Sequence, residues 1–150
     1  MLKARLESDL RDAMKARDEL VTSTLRMAIA AVRNAEVAGD AARELSEDEV
    51  LSVLTKEAKK RREAATAFAD AGREAQAAKE RAEEEVLAGY LPKQLSDDEL
   101  TGIVRDALAA AGLSGAASMG PAMKAAQAAV AGRAEGGRVA AIVRAQLTAG

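Results

Sequence analysis

The 150-residue chain has no cysteine, no histidine and no tryptophan, and only one Phe, one Tyr and two Pro. Without cysteine there is no disulfide framework, no thiolate nucleophile and no cysteine-based zinc site. Without histidine the usual general base and the commonest metal ligand are missing, so a serine activated by histidine is excluded. A Ser–Lys arrangement is the serine chemistry that composition leaves open. Alternating Val/Ile/Thr runs are too few to signal strands. No apolar run approaches the 18 residues that suggest a membrane span. Glu7, Asp9 and Asp12 stand where a secretory signal would have its apolar stretch. These absences lead us to expect a soluble cytoplasmic protein with no membrane contact, metal or cofactor.

Alanine fills about a quarter of the chain. It is the best helix former and supplies little bulk, so the core must come from closely packed helices and the fold class is all-α. The net charge of −2 gives little long-range attraction to nucleic acid, and no DNA partner is expected. Five basic and five acidic residues follow Leu95. Any anion site must therefore be a local patch.

Helical periodicity is clear along most of the chain. Leu2, Leu6, Leu10 and Met14 at i+4 spacing predict a helix over 2–17. Leu25, Ile29, Val32 and Ala35 predict a second over 19–38, with Gly39 as its stop and 39–45 as a loop. "SEDE" at 46–49 reads as a capping box that starts a third helix towards Ala71, followed by a fourth over 74–90. Pro92 disfavours helix at Leu91 and sets the boundary between an N-terminal bundle of about four helices (1–92) and a small three-helix module (93–150). In that module "SDDE" at 96–99 is a second capping box, and further helices are predicted near 119–131 and 137–147.

Three charged stretches carry possible function. "KEAKKRRE" (56–63) puts Lys56, Lys59 and Lys60 on one exposed ridge, while Arg61 falls on the apolar stripe within reach of Glu57. The ridge is either a solvated face or a phosphate-contacting surface. "KERAEEE" (79–85) reads as a solvated face that answers the cations of the preceding helix. The turn near 132–138 combines Gly132, Gly136 and Gly137 with Arg133 and Arg138, and Lys124 precedes it. Glycines between helices are often only a turn. Here, though, the unpaired amides at the start of the last helix and the nearby cations would also suit a phosphate.

"STLRMAIAAVRNAEV" (23–37), "KEAKKRREAATAFADAGR" (56–73), "GYLPKQLSDDEL" (89–100) and "MGPAMKAAQAAVAGRAEGGRVAAIV" (119–143) together resemble the YqeY-like family, over essentially the whole chain. The last stretch also resembles the tail domain of GatB, the tRNA-selecting subunit of the glutamine-dependent aspartyl/glutamyl-tRNA amidotransferase. The resemblance implies a helical bundle followed by a non-catalytic tRNA-binding tail. The matching positions are Met119, Gly120, Met123, Lys124, Gly132, Arg133, Ala134 and Gly136. Glu135 stands where the family usually has Asp, a better N-cap, so a less firmly fixed start to the last helix is expected. The partners implied are tRNA and, among proteins, a tRNA amidotransferase or an aminoacyl-tRNA synthetase. The amidotransferase active site has no counterpart here, which leaves a stand-alone tRNA-associated protein as the first reading. An accessory component of glutamine-dependent tRNA amidation and a protein–protein adaptor are the alternatives.

Overall fold

The computed structural model describes residues 1–149. Among them are seven α-helices, one short 3-10 helix and no strand, so the fold is all-α. The chain divides into two compact units, Met1–Leu91 and Pro92–Gly150. The first holds α1 (Leu2–Ala16), α2 (Glu19–Glu36), α3 (Glu47–Asp70) and α4 (Glu74–Ala88). The second holds α5 (Asp97–Ala111), a 3-10 turn (Ala116–Ser118), α6 (Met119–Val130) and α7 (Gly136–Ala149).

Local chemistry explains where the helices begin. Asp18 Oδ1 accepts from the Val21 amide at 3.1 Å and caps α2. Both capping boxes close: Ser46 Oγ accepts from the Glu49 amide at 3.2 Å while Glu49 Oε1 accepts from the Ser46 amide at 3.1 Å. Ser96 and Glu99 repeat the exchange at 3.2 and 3.0 Å ahead of α5. Helix ends are less uniform. Gly112 ends α5 in the left-handed conformation (φ 66°). At the other end of α1, Arg17 takes that conformation although it carries a side chain (φ 58°). Gly39 does not stop α2, which has already ended at Glu36.

The first unit packs Leu6, Leu25, Val32, Val50, Leu54 and Leu87, all nearly inaccessible. Met14, the last member of the expected α1 stripe, is 49% exposed, and Ala13 is buried in its place. The second unit packs Leu100, Val104, Val130, Val139, Val143 and Leu147. In both, alanine fills part of the core: Ala28, Ala77, Ala122 and Ala126 are fully buried.

Charges join α3 to α4. Arg61 does not pair with Glu57, as its spacing suggested. Its Nη1 lies 3.3 Å from Glu80 and 3.6 Å from Glu83 on α4, and Glu57 is taken by Lys60 at 3.2 Å. Arg62 reaches Glu84 at 3.7 Å. The acidic run of α4 thus answers the arginines of α3, which face the neighbouring helix, where a solvated face was expected to answer the lysine ridge. Tyr90 closes the end of the unit, donating to Asp9 Oδ2 while the Arg5 guanidinium lies 4.5 Å from its ring centre. Burial, and then the bond to Asp9, push the Tyr90 hydroxyl pKa upward.

Candidate nucleic-acid interface

The α6–α7 turn is built from consecutive unusual residues. Ala131, the C-cap of α6, is left-handed (φ 52°), and Gly132 follows it there (φ 77°). A left-handed alanine costs about 1 kcal/mol or more, so its neighbours must hold it. Arg133 supplies part of that hold. Its Nε donates to the Val130 carbonyl and its Nη2 to the Ala129 carbonyl, both at 2.9 Å. These are end carbonyls of α6, and a guanidinium there also meets the negative end of the helix dipole.

The segment leading into α5 is bound to the same turn. The Leu95 amide donates to the Arg133 carbonyl at 2.8 Å. Arg138 Nη2 donates to the Leu95 carbonyl at 2.9 Å and to Asp97 Oδ1 at 2.8 Å. Leu95 and Ala134 are buried beneath. Arg133 and Arg138 therefore shape and close the turn, and each is half-buried.

A cleft of about 140 Å³ lies beside this turn, lined by Gln127, Val130, Gly132, Ala134, Gly136 and Val139. The structure thus brings Gly132 and Gly136 to one cavity. Gly136 and Gly137 are exposed in the first turn of α7, one residue earlier than the sequence suggested. Glu135 acts at the head of that helix through its carbonyl, which accepts from the Val139 amide at 3.1 Å. Its carboxylate lies near Gly137, 3.6 Å from where a Cβ would stand. A negative side chain thus lies at the positive end of α7. Lys124 is exposed on α6.

In the first unit Lys56, Lys59 and Lys60 are exposed on α3. Lys59 lies 3.9 Å from Glu63 and Lys60 3.2 Å from Glu57, so carboxylates of the same helix shadow two of the three. Among the described residues no group of three or more Asp and Glu could hold a metal ion, and no helix is long and apolar enough to cross a membrane.

The family model described as Yqey-like protein matches residues 3–147. The chain belongs to that family. A comparison with curated proteins finds no match. One feature of this YqeY-like chain escaped the sequence reading. Arg11, Arg26 and Arg33 meet in a groove between α1 and α2. No local motif marks them, because their convergence depends on how the two helices pack.

Proposed function

We propose that this YqeY-like chain is a stand-alone, tRNA-associated cytoplasmic protein that works by shape and phosphate contacts and has no catalysis of its own. Its architecture is a four-helix bundle followed by a three-helix tail module. The observation that carries the reading is the glycine-lined cleft of the α6–α7 turn, which opens beside the exposed first turn of α7. Exposed Lys124 on α6 adds charge, and Arg133 and Arg138 set the shape of the turn while retaining guanidinium nitrogens beyond those bound within the chain. The resemblance of this module to the GatB tail supports the same assignment. A tRNA amidotransferase or an aminoacyl-tRNA synthetase is the protein partner it suggests.

An electrophoretic shift with unfractionated tRNA at two salt concentrations tests the reading. Phosphate contacts predict binding that weakens with salt and is about equal across tRNA species. A protein that shifts no tRNA at the lower salt is not a tRNA-binding protein, and the reading falls. The amidation alternative is separated by chemistry. The purified chain is expected to release no ammonia from glutamine, and turnover abolished by a point mutation in this chain would reverse that conclusion.

A further inference from the structure

Several cations of the first unit are engaged within the chain. Lys3 binds Glu36 at 2.9 Å, Arg43 binds Glu49, and Arg61 and Arg62 face carboxylates of α4. Arg11 on α1 and Arg26 and Arg33 on α2 are different. All three are exposed and line one groove of about 590 Å³, with Leu10, Ile29 and Ala30 between them. Among the described residues none forms an ion pair or side-chain hydrogen bond with any of the three. One carboxylate, Glu7, shares the groove with the three guanidinium groups, and Asn34 adds an amide. Arg33 feels the charge of Glu36, but with no side-chain hydrogen bond inside the chain each of the three guanidinium groups keeps its N–H donors for a ligand.

We propose that this α1–α2 groove holds the phosphodiester backbone of an RNA strand. The proposal rests on the RNA-binding reading above and gives it a contact surface in the first unit. Arg26 and Arg33 stand two helical turns apart, about 10 Å along α2, and Arg11 comes from the other helix, so a strand lying in the groove meets cations from both sides. The planar guanidinium fork matches two phosphate oxygens at once. An acidic amphipathic helix of a protein partner fits less well. It needs an apolar stripe to rest on, yet Ile29 is only 4% exposed, Leu10 is half-buried and Ala30 offers a single methyl group. No aromatic side chain lines the groove, so bases do not stack there and the strand is held by charge and shape.

The test uses the full chain, unfractionated tRNA and fluorescence anisotropy across salt from about 50 to 200 mM. The triple variant Arg11→Gln, Arg26→Gln, Arg33→Gln should flatten the log–log salt slope by about two to three units. The matching triple Lys variant should keep most of the slope, since the charge remains. Circular dichroism and melting should match wild type for both, because the three side chains are exposed. If the triple Gln variant melts early, the single variants replace it, each losing about one unit of slope. Wild-type binding with an unchanged slope in the Gln variants overturns the groove and leaves the RNA reading standing. Absence of wild-type tRNA binding overturns both. Tighter wild-type binding to poly-glutamate than to tRNA, lost in the Gln variants, assigns the groove to an acidic protein and overturns the RNA occupant.

Discussion

The Leu95 amide donates to the Arg133 carbonyl at 2.8 Å, across 38 residues of chain. The Leu95 carbonyl in turn accepts from Arg138 Nη2 at 2.9 Å. Both backbone polar groups of a buried residue are thus satisfied from the α6–α7 turn. Arg138→Ala leaves that carbonyl without its partner and should destabilise the protein by about 1–2 kcal/mol. Asp97, the other acceptor, is 87% exposed, so Asp97→Asn should stay within about 0.5 kcal/mol of wild type. Urea denaturation of the full chain measures both, and equal costs would contradict the role given to the Leu95 carbonyl.

The α3–α4 contact predicts a larger effect. The Arg61 side chain is 21% exposed and its partners Glu80 and Glu83 are 15% and 9% exposed. Arg61→Ala strands two poorly solvated carboxylates and should cost about 3 kcal/mol. Replacing all three charges, as Arg61→Met with Glu80→Met and Glu83→Met, should regain most of the loss, because the uncompensated charge is gone. If Arg61→Ala costs less than about 1 kcal/mol, the pair network does not hold these helices together.

The first capping box gives a prediction in pH. The Arg43 guanidinium, and then the Ser46 amide, hold the Glu49 carboxyl at about 2, below its ordinary 4.5. A carboxyl depressed in the folded state stabilises fully above its unfolded value and loses that effect as pH falls through the folded one. The contribution of Glu49 should therefore be complete above pH 4.5 and decline towards pH 2. Melting curves of wild type and Glu49→Gln should differ at neutral pH and converge over that window. A constant gap down to pH 2 would place the stabilisation elsewhere.

Residues 92–150, produced alone, should be soluble and helical by circular dichroism. Their own buried cluster of Leu100, Val104, Val130, Val139, Val143 and Leu147 motivates this, as does the clamp of Leu95 on the α6–α7 turn. Stability should be marginal, since so short a chain buries little surface. A random-coil spectrum would show that the second unit does not fold alone.

Local rules made the helices legible. Ser46–Glu49 and Ser96–Glu99 announced two helix starts because a capping box is complete within four residues. Leu25, Ile29 and Val32 announced a buried face because helical spacing alone puts them together. Partners brought together by packing were not legible. Arg61 had Glu57 one turn away, yet Glu80 and Glu83 lie closer to its guanidinium in the folded chain. The roles of Arg133 and Arg138 depended on carbonyls exposed by a left-handed alanine and on Leu95, more than thirty residues distant. Their charge could be read from the sequence; the groups that occupy it could not.

The fully buried alanines carry a consequence for how this protein can vary. At Ala28, Ala77, Ala122 and Ala126 every substitution except glycine adds atoms at a site closed to solvent, and overpacking a core costs about 1–3 kcal/mol. Glycine in a helix costs about 1 kcal/mol as well. A leucine core usually degrades by erosion, one lost methylene at a time, and retains conservative exits through methionine or isoleucine. These four positions have no such exits. Random mutation should therefore meet marked intolerance even at the smallest side chains, in helices whose composition gives no outward sign of it.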